Sequence, residues 1–228
     1  MIFTNYETII VTNPHKKIFI LTLNRPKFSN AFNTKMATEI VDFFERIPSA
    51  LKEIYAIIVT GQGQKSFCAG GDLKERDGMT DEAWFQQHII FEKMIRSILD
   101  CPVPTIGAVN GAAYGGGCEL VAGLDFAYCS TTAKFAQTET KLGIIPGAGG
   151  TQTLSRAVGE RRAKEIILSG SAFSAKQAFE WGLVNRLCDP DELMKSVLDV
   201  AKTIASNAPV AVRQAKHSIH RGMQLSIR

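Results

Sequence analysis

A chain of 228 residues has room for one large α/β domain, or for one domain with a small appendage. With 45% hydrophobic and 21% charged residues it has the composition of a globular protein rather than a disordered one, and a core of this size needs no disulfide or metal to hold it. The net charge of +4, with both signs interspersed, is too mild to argue for nucleic acid, and no apolar stretch reaches membrane-spanning length. The five cysteines are widely spaced and form no C-x-x-C pair, so they read as reduced thiols. The opening MIFTNYETIIVTNPHKK has neither a secretory apolar run nor an Arg/Ser-rich transit pattern. A bacterial cytoplasmic location is expected, with the mitochondrial matrix as the alternative.

Residues 18–23 (IFILTL) read as a buried strand stopped by Asn24-Arg25-Pro26. Asn33 suits the N-cap of a helix with an apolar face of Met36, Ile40, Phe44 and Ile47. A β-branched strand is expected over 54–60, a short glycine-containing segment over 67–73, a helix over 81–99 and a strand over 105–109. Gly115-Gly116-Gly117 then open an apolar helix over 118–122, and 125–129 return as a strand. The remainder reads as helical, over 150–158, 160–168, 174–181, 191–205 and 210–221. Strands alternating with helices, followed by helices alone, predict one α/β core with a helical C-terminal part.

Three segments carry unusual glycine density: FCAGGDL (67–73), NGAAYGGGCEL (110–120) and GIIPGAGGT (143–151). Glycine inside regular structure costs roughly 1 kcal/mol against alanine, so a run at a helix start needs a reason. Tight packing is one. Close approach of backbone N–H groups to an oxygen that gains negative charge is the other, because a helix N-terminus offers unpaired donors. None of these segments spells the dinucleotide fingerprint G-x-G-x-x-G, a P-loop or a G-x-S-x-G elbow. Glu119 lies in an otherwise apolar helical turn, where a carboxylate is costly unless paired or used. Glu139 lies twenty positions on, beyond a returning strand that could bring the two together. Facing carboxylates would repel, raise one pKa and divide acid from base work. His15 and His88 stand in polar surroundings, and His217 and His220 lack an acidic or thiolate companion, so no metal site is expected. Trp84, Phe85, Ile89 and Ile90 read as a core-packing helix face, with an acyl-pocket lining as the alternative; Tyr114 reads as packing.

LNRP (23–26), IIVTG (57–61), FCAGGDL, GGGCEL, the segment around Glu139 and IPGAGGTQ (145–152) follow one another in an order that resembles the enoyl-CoA hydratase/isomerase, or crotonase, superfamily over nearly the whole chain. The resemblance implies an α/β spiral of ββα units over 1–170 carrying the active site, and a helical trimerisation region over 171–228. It implies backbone N–H groups of Gly71 and Gly116 as an oxyanion hole, and Glu119 with Glu139 as the pair that activates water and delivers a proton to Cα. By the same likeness Ala69, Asp72 and Leu73 lie along bound coenzyme A, with Arg25 and Lys27 near its phosphates. The expected substrate is an acyl-CoA thioester of fatty-acid β-oxidation. No cofactor beyond the substrate's own coenzyme A, no metal, no nucleic acid and no membrane are expected, and the assembly is a homotrimer or hexamer. Thr138 and Ala112 replace a proline and an aromatic residue common in the family, which leaves acyl length open. Members usually run on past the position of Arg228, so a final helical segment is expected to be truncated here. Alternatives are an enoyl-CoA isomerase, which one carboxylate would serve, a methylglutaconyl-CoA hydratase, and a non-catalytic CoA-thioester or RNA-binding protein.

Overall fold

The computed structural model describes residues 6–223; the first five residues of the opening and the last five of the C-terminal region lie outside them. Strands β1 (Ile9–His15), β2 (Ile18–Leu23), β3 (Ala56–Gly61), β5 (Thr105–Val109), β7 (Phe126–Ser130) and β10 (Arg186–Cys188) stand side by side in that order. All pairings in this sheet are parallel except β1 with β2. A smaller sheet runs β4 (Ser66–Cys68), β6 (Ala112–Tyr114), β8 (Lys134–Ala136), β9 (Phe173–Ser174). After β2, each of the next three turns of the chain gives one strand to the large sheet, one to the small sheet, and then a helix. Thus β3 and β4 precede α2 (Leu73–Arg76) and α3 (Asp81–Leu99). β5 and β6 precede α4 (Gly116–Gly123), and β7 and β8 precede α5 (Gly150–Val158) and α6 (Glu160–Ser169). This is a ββα spiral.

Strand alternation explains the two layers of core. In β3, Ile57 and Val59 point toward the small sheet and join Phe67, Phe135 and Leu154; Ala56 and Ile58 point the other way. The second face is covered by α8 (Leu193–Ser206), whose Leu193, Val197 and Ala201 recur every four residues and are buried. Burying one Leu or Val side chain contributes roughly 1.5–3 kcal/mol, so this stripe is enough to seat the helix. On the first face α1 (Thr34–Arg46) starts where Asn33 Oδ1 accepts from Met36 N at 2.9 Å, and Met36, Ile40, Phe44 and Ile47 are all buried, as the pattern predicts.

Four differences from the sequence reading have physical causes. The strands β6, β8, β9 and β10 are two or three residues long, too short to display a period. β1 is an edge strand with mostly exposed residues, so it also lacks alternation. Pairing continues across residue 170, since β9 joins β8 and β10 joins β7 around α7 (Ala175–Glu180). Of the helices past residue 170, α9 (Pro209–Gly222) alone buries no residue; it is tied down where Lys216 Nζ meets Asp125 Oδ2 at 2.7 Å and Val103 O at 2.9 Å. Finally, Phe85 and Ile89 on α3 are exposed rather than core.

Candidate active site

The glycine segments and one side of α3 enclose a cleft of about 720 Å³. Glu119 and Glu139 both line it. Glu119 sits in the first turn of α4, 3% exposed. Its Oε1 accepts from Ala148 N and Gly150 N, each at 2.8 Å. Gly150 starts α5, so a helix N-terminus faces the carboxylate. A Cβ on Gly150 would stand 2.8 Å from Glu119 Cγ; only glycine lets the helix come this close. Burial pushes the Glu119 pKa up to about 7; the Gly150 N–H opposes this, the charge of Glu139 adds to it, and the Ala148 N–H also opposes.

Glu139 follows β8 and opens a 3-10 turn, Glu139–Leu142, at 8% exposure. Burial raises its pKa too, against backbone N–H groups that favour the charge. With its amide nitrogen turned toward this carboxylate, the fully buried Gln137 donates to both oxygens, at 3.2 and 3.0 Å. The pair therefore meets across α4 and β8, brought together by the returning strand between them.

Two backbone donors face the same space. Phe32 pairs with the first glycine segment through Phe32 N to Gly70 O and Asp72 N to Phe32 O, which leaves the N–H of Gly71 turned to the cleft. Gly116 is the first residue of α4, where no intrahelical acceptor exists. Among the described residues neither N–H has a backbone acceptor. A Cβ on Gly116 would lie 3.8 Å from Gly71 N, so the two donors flank one point. Gly115 makes the turn possible with φ of 51°. Gly117 serves packing instead: a Cβ there would collide with Cys68 O at 2.1 Å.

The expected coenzyme-binding set divides. Ala69 and Leu73 line the cleft. Asp72, Arg25 and Lys27 do not. Asp72 is buried, caps α2 by accepting from Lys74 N, and pairs with Arg25 Nη2 at 2.8 Å. Arg25 Nη1 also donates to Ala31 O at 2.7 Å, and the guanidinium lies over the Phe28 ring. Together they brace the loops that carry Phe32 and Gly71. Lys27 is exposed on the 3-10 turn Pro26–Phe28. Conversely, His88 is not in indifferent polar surroundings. It lines the cleft, stacks on Trp84 with 5.1 Å between ring centroids, and places Nε2 3.4 Å from Glu92 Oε1. The signal was present in the i, i+4, i+8 spacing of Trp84, His88 and Glu92 on one helical face. Arg76 and Phe91 also line the cleft and carried no such signal. Among the described residues no three His, Cys, Asp or Glu side chains are placed to hold a metal, and no helix is long and apolar enough to cross a membrane.

A two-sheet ββα spiral, with buried carboxylates opposite idle backbone donors, defines a crotonase-type α/β fold. The chain matches the family model for enoyl-CoA hydratase/isomerase over residues 14–227 and belongs to that family. It is 41% identical to a short-chain-enoyl-CoA hydratase of Clostridium acetobutylicum, with 96% of this chain and 83% of the relative covered. It is 39% identical to a crotonyl-CoA hydratase of Syntrophomonas wolfei, with 97% and 85% covered. The solved enoyl-CoA hydratase of Bacillus anthracis superposes with a TM-score of 0.94 at 38% identity, over 97% of this chain and 85% of that one.

Proposed function

We propose that this protein is an enoyl-CoA hydratase, adding water across the 2,3 double bond of a 2-trans-enoyl-CoA to give a 3-hydroxyacyl-CoA. The meeting of two buried carboxylates and two idle N–H donors in one cleft carries the reading. The thioester oxygen sits between Gly71 N–H and Gly116 N–H. As the water oxygen bonds to C3, the π electrons move through C2 onto that oxygen, and the two donors stabilise the enolate. Burial raises both glutamates and carries Glu119 up to about 7, which suits a pair in which one carboxylate takes a proton from the attacking water and the other delivers one to C2. An isomerase needs only one carboxylate to move a proton from C2 to C4, and the second glutamate favours hydration. The names of the two curated relatives favour short acyl chains.

The substrate's coenzyme A is the only cofactor in this reading, with Ala69 and Leu73 along it and Lys27 near its phosphates. Exposed Val210 and Ile219 on α9 support a homotrimer or dimer of trimers. Five free buried cysteines suit a reducing compartment such as the cytoplasm, and the reaction is a step of fatty-acid β-oxidation.

The test follows loss of the enoyl chromophore with crotonyl-CoA in heavy water, with mass spectrometry of the product. The expected product gains one water and one deuterium at C2. Glu119→Gln and Glu139→Gln should each lower kcat by ~10² to 10⁴. Near-parental turnover in both variants, or a 3-enoyl-CoA isomerised faster than the 2-enoyl-CoA is hydrated, overturns the reading.

A further inference from the structure

The cleft holds a cation for which hydration has no use. Arg76, the last residue of α2, lines the wall beside Gly71, and a Cβ on Gly71 would stand 3.5 Å from its guanidinium carbon. The guanidinium lies over the Phe91 ring, 5.2 Å from its centroid. Its Nε donates to Gln87 Oε1 at 2.9 Å. Gln87 is 3% exposed and itself fixed, donating through Nε2 to Thr34 Oγ1 at 2.8 Å and Glu75 Oε2 at 2.9 Å. That network uses one of the five N–H donors of the guanidinium. Among the described residues no acceptor takes the hydrogens of Nη1 and Nη2, and no carboxylate forms an ion pair with them. The adjacent Glu75 accepts from Thr34 N and Gln87 instead. Of the acids that line the cleft, Glu92 faces His88 and Arg96, and Glu119 and Glu139 form the pair described above.

A guanidinium keeps its charge in a protein, and removing it partly from water is unfavourable; the charge of Glu75, reached through Gln87, offsets part of this cost, yet no carboxylate meets the Nη edge. Stacking on Phe91 does not account for it, since an apolar side chain would cover that ring at no electrostatic cost. Here the stem is braced and the two-nitrogen edge is left open, the geometry that accepts a carboxylate through two parallel hydrogen bonds. We propose that Arg76 is a specificity-determining residue of the acyl pocket, and that the preferred substrates are short 2-enoyl-CoA thioesters whose acyl chain ends in a carboxylate. The chain is short because Arg76 stands against Gly71, the residue that receives the thioester oxygen in the hydratase reading on which this inference rests.

The test compares glutaconyl-CoA with 2-pentenoyl-CoA, equal in carbon number and differing in the carboxylate. In the parent protein kcat/KM should be higher for glutaconyl-CoA. In Arg76→Met the ratio of the two values should fall roughly 10- to 100-fold, with a smaller fall in Arg76→Lys, which keeps the charge and loses the fork. Circular dichroism establishes that both variants are folded. Calorimetric titration with the saturated glutaryl-CoA and valeryl-CoA repeats the comparison without turnover, and the affinity ratio should change by a similar factor. An unchanged ratio in Arg76→Met, with both substrates slowed alike, would make Arg76 a brace for the Gly71 loop and overturn the proposal. A parent protein that hydrates pentenoyl-CoA but not glutaconyl-CoA overturns it while leaving the hydratase reading intact. If neither is hydrated, the hydratase reading fails, and the glutaryl-CoA titration still decides whether Arg76 recognises a carboxylate.

Discussion

Glu119 titrates abnormally because it is buried, and this has consequences for stability and rate. Its native pKa of about 7 lies above the ordinary 4.5, so between these values the folded state holds more protons than the unfolded state. Stability is therefore fully present below 4.5 and declines as pH rises through 7. Glu119→Gln cannot ionise and should remove that decline, a difference on the order of 3 kcal/mol at most, measured by urea unfolding of both proteins at pH 5 and pH 8. The same proton governs catalysis. The pH profile of kcat/KM should be bell-shaped, with its alkaline limb near pH 7, where Glu119 loses its proton. The limb for kcat should lie higher, because a bound acyl chain excludes water from the carboxylates. A kcat/KM that is flat from pH 6 to 9 would rule out a part for the Glu119 proton in the rate. The glycines separate in the same way. Gly116→Pro removes a donor at the first position of a helix, which accepts proline, and should cost ~10² to 10³ in kcat on folded protein. Gly117→Ala drives a methyl group into the Cys68 carbonyl and should lower stability first, seen as a reduced thermal midpoint before any specific loss of turnover.

At the level of elements, helix ends do the positioning. The N-terminus of α5 holds one glutamate and that of α4 presents a free N–H, so the two helices that pack together also shape the chemistry. By contrast α9 has no buried residue, and its anchor is polar: Lys216 on Asp125, which also accepts from Thr105 N and Oγ1. Lys216→Ala should release α9 at a cost of ~1–3 kcal/mol locally. Hydrogen exchange would report it as faster exchange across α9 with α3 unaffected; uniform protection in both helices would mean that other contacts seat α9. The helix α1 was legible from periodicity and β2 from its unbroken apolar run, because each buries its apolar side chains over several residues. The short strands of the second sheet were not, because two or three residues that pair by register alone leave no pattern.

For the molecule as a whole, the exposed apolar residues of α9 make an oligomer the expected state in solution. Light scattering should give three or six chains. An active, stable monomer would show that α9 is not an interface and that one chain completes its own site.

Some properties of this protein were settled by residue order alone. Three glycine-rich segments with a glutamate beside two of them are local chemistry, visible wherever the chain goes, because glycine and a carboxylate in apolar company are each costly without a reason. The capped helix at Asn33 and the apolar run of β2 are likewise local. Tertiary structure decided everything that depends on partners distant in sequence. It set Glu119 against the α5 N-terminus thirty-one positions later, and buried it deeply enough to raise its pKa even though the Gly150 N–H favours the charge. It engaged Arg25 with Asp72, forty-seven positions away, and took both out of the cleft wall. It turned His88 and Arg76, two ordinary polar residues in the sequence, into the wall of the cleft. Charge and hydrogen-bonding capacity belong to a residue, whereas desolvation and pairing belong to the space around it, and that space forms only when the spiral closes.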